Sequence, residues 1–337
     1  MRSTRPRATR TDVAREAGVS VAVVSYVVNN GPRPVAPATR ERVLKAISDI
    51  GYRPNGTARA LKLGKTSSYG LVVPDISNTF FATMARSLQL ELAATNAGLL
   101  IANSSDSSIA EDRILRVFLE REVDGIFFIS ASAQVGVINR ARQDGIRAVI
   151  LDRVPKNVDV SSVSSDNIAG AFEATAHLIG HGRQRIALIG GPADLPTASE
   201  RALGWSRALT DAHLQVRPQW ELSASFTRAG GRHAADQLFG GADDIPDAVF
   251  VASEQQALGV LTSAYEHGIS VPDDMALATF DGTDDAVYSI PPLTTVAQPF
   301  TLLAKTAVDV MLNGTSEAVH RSCGHELIVR ESCGCPS

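Results

Sequence analysis

The sequence predicts an α/β protein: an all-helical helix-turn-helix head and a hinge helix, joined to a two-lobed body of parallel sheets. Three observations predict this. Residues 1–65 carry 13 Lys/Arg against 4 Asp/Glu, a net of +9 in a chain whose formal charge is −4. Inside that basic arm, TDVAREAGVSVAVVSYVVN places apolar residues at helical spacing on both sides of a glycine. From Tyr69 onward, short apolar runs alternate with longer helical patterns, and the alternation restarts at Asp166.

The head is read first. Thr11 is expected to cap a short helix, with Asp12 in its first turn and Val13, Ala14 and Ala17 on its apolar face. Gly18 stops that helix in a left-handed conformation, and Val19 plugs the turn. Ser20 is a second N-cap, and Val24, Val27 and Val28 face inward. Two helices joined by such a glycine turn form a helix-turn-helix, whose second helix enters the DNA major groove by its N-terminal end. Val21, Ala22 and Tyr26 would form its reading surface, suited to thymine methyl groups, with Thr11, Ser20, Ser25, Asn29 and Arg33 as further contacts. A third helix is expected from Ala38 to Ile50, striped by Val43, Leu44, Ile47 and Ile50 and ended by Gly51. Arg10, Arg33, Arg40, Arg42 and Lys45 are candidate phosphate contacts, ordinary solvation being the plainer reading of each. In PNGTARALKLGKTSS, Asn55 would cap a hinge helix too short to stand alone. Its Leu61 suits insertion between base pairs of the minor groove, or else packing on the body.

In the body, YGLVVPD, LLIANS, VDGIFFIS and RAVILDR read as strands separated by helices at Phe80–Ala97, Ile109–Glu122 and Gln134–Asp144. After Asp166 come a helix to Gly180, strand RIALIG, helices Ala198–Ala212 and Arg228–Phe239, strand DAVFVAS, helix Gln256–Gly268 and strand MALATFD. Two such lobes place a ligand between them, outside the carboxyl ends of the strands. The strand ends supply Asp75, Ser104, Ser105, Asp152, Arg153, Ser253, Glu254 and Asp281, with Phe80 and Phe81 as stacking rings. GGPADLP lacks a nucleotide fingerprint and reads as a plain strand-to-loop turn.

The bulk properties exclude several classes. Apolar residues make up 44% and charged residues 20%, as in soluble globular proteins. No apolar run approaches membrane-spanning length, and no signal-peptide core follows MRSTRPRATR, so a cytoplasmic protein is expected. Cys323, Cys333 and Cys335 sit near the end, in no zinc-like spacing; no metal is expected, and CGCPS reads as a frayed tail with free thiols. There is no Gly-x-Ser-x-Gly elbow and no phosphate-loop lysine motif, so no catalytic residue is assigned and the chain is not expected to be an enzyme. A rival enzyme reading has only Asp281 or Glu254 to offer. A pure small-molecule binding protein would need a signal peptide and no head.

TDVAREAGVSVAVVSYVVNN, YRPNGTARALK, SNTFFATMARSLQLEL, SSDNIAGAFEATAHLIGHGRQRIALIGG, ISVPDDMALATFDGTD, PPLTTVAQP and ELIVRES, in this order over essentially the full length, resemble the lactose/galactose-repressor family of bacterial transcription regulators. The resemblance implies a helix-turn-helix domain at 1–53 and a hinge at 54–66. It also implies a periplasmic-binding-protein-like body at 67–337, with lobes at about 67–163 with 296–322 and 164–292 with 323–334. It implies a homodimer on double-stranded operator DNA, with Leu61 as the minor-groove wedge and Arg59 in the same hinge helix. It implies no cofactor, but a small-molecule effector, carbohydrate in the first place and a purine-like ligand as the alternative. Asp75, Phe80, Phe81, Ser105, Arg153, Arg201, Ser253, Glu254, Asp281 and Gln298 are the expected effector contacts. Four departures stand out. Ser253-Glu254 replace the usual Asn-Asp, Thr279 a Gly, Tyr26 an Arg, and Ala36 the serine cap of the third helix.

Overall fold

The structure is a computed structural model and describes residues 8–29, 31, 33–53, 64–129, 136–155, 158–240, 245–315 and 317–335. It divides into two compact units, Met1–Thr66 and Ser67–Ser337.

The first unit holds three helices: α1 (Arg10–Ala17), α2 (Val21–Asn29) and α3 (Pro37–Ile50). The cap of α1 is Thr9, not Thr11. Its hydroxyl accepts from the Asp12 N–H at 3.3 Å, and the Asp12 carboxylate accepts from the Thr9 N–H at 2.9 Å. Asp12 lies three residues after Thr9 and can complete this reciprocal pair, whereas Thr11 is inside the helix and exposed. Gly18 (φ 63°) and Gly51 (φ 64°) end α1 and α3 in the left-handed region. Val13, Ala14, Ala17, Val24, Val27, Val43, Ala46 and Tyr52 form the core. Leu44 does not join it, being 49% exposed. The inward stripe of α3 runs through Val43 and Ala46, and Leu44 falls one residue off it.

The second unit carries two six-stranded sheets. Lobe 1 contains β1 (Ser68–Val73), α4 (Thr79–Ala94), β2 (Gly98–Asn103), α5 (Ser108–Glu120), β3 (Gly125–Phe128), α6 (Gly136–Gln143), β4 (Arg147–Leu151) and β5 (Ser162–Ser165). Lobe 2 follows with α7 (Asn167–Gly180), β6 (Ile186–Gly190), α8 (Pro196–Asp211), β7 (Glu221–Ser223), α9 (Arg228–Phe239), β8 (Ala248–Val251), α10 (Glu254–Glu266), β9 (Ala276–Asp281), α11 (Asp284–Tyr288) and β10 (Thr294–Ala297). The chain then returns to lobe 1 with α12 (Phe300–Asn313) and β11 (His320–Cys323), and ends in lobe 2 with β12 (Glu326–Ile328).

The sheet of lobe 1 has the order β11-β5-β4-β3-β1-β2 and is parallel throughout. That of lobe 2 has the order β12-β10-β9-β8-β6-β7, parallel except for β12 against β10. Both faces of the central strands are covered, so they read as unbroken apolar runs such as IALIG and AVFV. Strands β5, β7, β11 and β12 are short and polar, and sequence periodicity does not show them. No helix among the described residues is long and apolar enough to cross a membrane.

The tail is not frayed as far as Cys335. Ser332 is fully buried, its hydroxyl donating to the Leu277 carbonyl at 2.6 Å and accepting from the Thr294 N–H at 2.8 Å. Cys333 is buried beside it. This pins the chain end to the start of β9 and β10.

Candidate functional site

Two surfaces gather the residues singled out from the sequence. In the head, Val21 (42% exposed) and Ala22 stand open at the first turn of α2, and the Ser20 hydroxyl accepts from the Val23 N–H at 3.3 Å as the cap. Thr11 and Arg33 are exposed, and Ser25 is half-buried. Tyr26 is half-buried because its ring lies against Gly31, where an added Cβ would stand 2.5 Å from a ring carbon. Arg40, Arg42 and Lys45 are exposed along α3. Asn55, Arg59 and Leu61 lie outside the described residues, as does the side chain of Asn29.

In the body, strands of both lobes end at one cleft, and the helices that follow begin there. Asn78 caps α4, Asp166 caps α7 and Ser253 caps α10, each accepting from a first-turn N–H. The cleft holds a cavity of about 650 Å³. Lobe 1 lines it with Asp75, Phe81, Ser105 and Arg153, and lobe 2 with Leu195, Phe226, Arg228 and Gln255. A narrow pocket of about 20 Å³ shares Asn78, Phe81, Arg153 and Phe226 with that cavity and adds Phe80, Asp152, Thr197, Arg201, Ser253 and Asp281. A separate groove of about 460 Å³ on lobe 1 is lined by Arg147 and Met311, at the opposite ends of the strands from the converging polar groups.

Arg201 is the centre of the pocket. It is buried, with Nε donating to Asn167 Oδ1 at 2.9 Å and Nη1 donating to the Ala252 carbonyl. Nη1 also lies 3.5 Å from Asp281 Oδ1, and the guanidinium packs 3.8 Å over the Phe280 ring. Arg153 is buried too, donating to Asp106 at 2.9 Å and lying over Phe81 at 5.6 Å. Phe80 and Phe81 meet edge to face at 5.2 Å. Burial pushes the Asp281 carboxyl up to about 8; Glu254 and Asp152 push the same way, and Arg201 pulls against them. Burial likewise raises Asp152, against Arg201 and Arg153.

Two expected contacts take other roles. Glu254 is buried but lines neither part of the cleft. Its carboxylate accepts from the Gly282 N–H at 2.7 Å, the Thr283 N–H at 2.9 Å, the Thr283 hydroxyl and the Thr295 hydroxyl at 2.8 Å. The carboxylate thus clamps the loop after β9, because its length lets it reach those donors. Gln298 also stands behind the pocket. It accepts from the Ser165 hydroxyl at 2.9 Å and donates to Asp281 at 3.2 Å, linking the two lobes where the chain crosses. Thr279, fully buried, donates its hydroxyl to the Val251 carbonyl at 3.0 Å. Sequence reading missed Asn167, Thr197, Phe226, Arg228 and Gln255. Phe226 follows the three-residue β7, which carries no periodic signal, whereas Gln255 adjoins a named strand end.

Comparison with known proteins gives the following. A family model described as bacterial regulatory proteins, lacI family, matches residues 9–55, and one described as periplasmic binding protein-like domain matches residues 175–333. Catabolite control protein A of Priestia megaterium is 35% identical over 289 residues, 86% of either chain. Among solved structures, a transcriptional regulator CelR–cellobiose complex is 32% identical with a TM-score of 0.73, covering 97% of this chain and 100% of that one. The lac repressor dimer bound to operator and the anti-inducer ONPF is 26% identical with a TM-score of 0.84, covering 97% and 99%.

Proposed function

The chain belongs to the lacI family of bacterial regulatory proteins, and from that premise we propose that it is a cytoplasmic repressor whose operator binding is set by a carbohydrate held between its lobes. The observation that carries the ligand class is the cleft. The buried Arg153 guanidinium and the rings of Phe81 and Phe226 line both the cavity of about 650 Å³ and the narrow pocket beside it, where the buried Arg201 guanidinium and the Asp281 carboxyl, raised to about 8, join them. Planar donor groups and a neutral carboxyl suit hydroxyl-rich ligands, and the rings suit the apolar faces of a sugar. The cellobiose bound to a relative of similar fold supports the same class.

In this reading Arg201, Arg153 and Asp281 hold hydroxyl groups, Asp75, Ser105 and Ser253 line the rim and floor, and Phe80 supports Phe81. The head reads a half-site through Val21, Ala22 and Tyr26, flanked by Thr11, Ser20, Ser25, Asn29 and Arg33. Asn55, Arg59 and Leu61 form the hinge that opens the minor groove. Two copies match the two halves of a near-palindromic operator; the lac repressor, of similar fold, is a dimer when bound to its operator. The effector acts by preferring one body state over another.

A thermal-shift screen with sugars, sugar phosphates and nucleobases tests the ligand class, and repeating the hits in a gel-shift assay gives the sign of coupling. Stabilisation by a nucleobase and by no sugar would replace the carbohydrate reading. Leu61→Ala is expected to weaken operator binding far more than random-DNA binding; equal losses would remove the wedge role.

A further inference from the structure

Helix α7 and the chain end meet on the surface of lobe 2, away from the cleft. His177 lies in the last turn of α7 and His181, four residues on, is its C-cap, while Cys333 and Cys335 flank Gly334 after β12. Residues 156 positions apart in sequence thus face one another. The Cys333 sulfur is 3.2 Å from His177 Nε2, and the Cys335 sulfur is 3.1 Å from His181 Nε2 and 3.9 Å from His177 Nε2. One ligand atom from each of the four residues lies within 4.8 Å of the others. Around a tetrahedral zinc ion, with bonds of about 2.0–2.1 Å to nitrogen and about 2.3 Å to sulfur, neighbouring ligand atoms stand roughly 3.3–3.8 Å apart. The observed separations bracket that range.

We propose that His177, His181, Cys333 and Cys335 form a tetrahedral site for a divalent transition metal, zinc in the first place. The ligand set selects the ion. Two thiolates and two imidazoles are the donors of structural zinc sites, whereas magnesium and calcium take oxygen ligands. The charge also balances, because two thiolates neutralise a dication in a half-buried place and leave no net charge to desolvate.

The site is built before any ion arrives. Spacing of i and i+4 puts both imidazoles on one face of α7, where the rings meet edge to face at 4.7 Å. Gly334 takes φ 97°, a left-handed turn that brings the second thiol back beside the first. The hydrogen bonds of Ser332 to Leu277 and Thr294 fix the strand from which that turn leaves. All three cysteines of the chain are free thiols, so no disulfide competes for Cys333 and Cys335. The bound metal staples the chain end to α7, the helix whose first residue, Asn167, holds Arg201 in the cleft. The site itself stands on its own residues and does not depend on what the cleft binds.

The test uses the full chain purified under reducing conditions without chelator. Elemental analysis is expected to find one zinc per chain. Titration of the metal-free protein with Co²⁺ is expected to give the strong visible bands of tetrahedral cobalt and a thiolate-to-cobalt charge-transfer band, both saturating at one ion per chain. Cys335→Ser and His181→Ala change the more accessible ligands, so their folding is checked easily by circular dichroism. Both should move the cobalt titration to higher metal concentration and weaken zinc binding by about 100-fold or more, since loss of even an outer partner costs 10–100-fold. At one zinc concentration the melting temperature should rise more in the wild-type chain than in either variant. Absence of cobalt bands in the folded wild-type chain, variants that bind as tightly as wild type, or a Cys333–Cys335 disulfide persisting under reduction would each overturn the site.

Discussion

At the residue scale, the cleft works by holding charge out of water. Asp281 is 5% exposed, and its carboxyl titrates near 8 in the folded chain, against about 3.9 for an unfolded one. Its folded pKa is raised, so the folded state holds the proton more tightly. The resulting stabilisation is complete below about pH 4, declines as pH rises and is gone above about pH 8. Asp281→Asn mimics the protonated form. The variant is therefore expected to match wild type near pH 4 and to melt about 3–5 °C higher at pH 9. Asp152 and Glu254, whose carboxyls burial also raises, leave the variant a residual slope of the same sign. Melting curves across that range decide it, and an unchanged slope would show that Asp281 is ionised throughout.

At the scale of the element, helix spacing and helix caps set the site. Gly204 on α8 lies so close to α7 that an added Cβ would stand 2.3 Å from the Ile168 carbonyl oxygen and 2.8 Å from the Ala171 Cβ. That approach brings Arg201, one turn earlier on α8, within 2.9 Å of Asn167. Gly204→Ala has to push the two helices apart, at about 1–3 kcal/mol. It is expected to lower the melting temperature and to weaken effector binding together; a loss of stability with full affinity would detach the helix contact from the site. In the head, Ala36 occupies the cap position of α3 with no side-chain hydrogen bond, and Pro37 supplies the first helical residue. Ala36→Ser restores the missing acceptor, worth about 1 kcal/mol. Amide exchange in the first turn of α3 should slow about fivefold, while an unchanged rate would mean that the serine is not accepting there.

At the scale of the whole body, the two lobes are tied across the mouth of the cleft. The Thr79 hydroxyl of lobe 1 donates to Asp285 of lobe 2 at 2.6 Å and accepts from Gln255 Nε2 at 2.9 Å. Gln255 also donates to Asp285 at 2.6 Å and accepts from Arg228 Nε at 3.0 Å. A cleft controlled by population shift needs contacts of this kind, whose net worth is about 1 kcal/mol each. Thr79→Val keeps the side-chain shape and removes the hydroxyl. If the tied arrangement is the one that holds effector, affinity measured by calorimetry should fall about fivefold, with head stability unchanged. An affinity equal to wild type would mean that these bonds do not bias the lobes.

The sequence by itself determined the order of the parts. Local periodicity and charge give a basic head with two helices about Gly18 and two α/β lobes from Tyr69 onward, and the ends of the apolar strands name Arg153 and Asp281. These follow because a helix or a central strand buries a face that its own residues encode. Tertiary packing alone decided which polar groups share a space. It turned Glu254 onto the loop after β9, set Gln298 between the lobes, brought Phe226 into the cleft from beside a three-residue strand, and set His177 and His181 against Cys333 and Cys335. The reason is range. A side chain's own neighbours fix its element, but its partner across 150 residues is fixed only when the sheets and helices have packed.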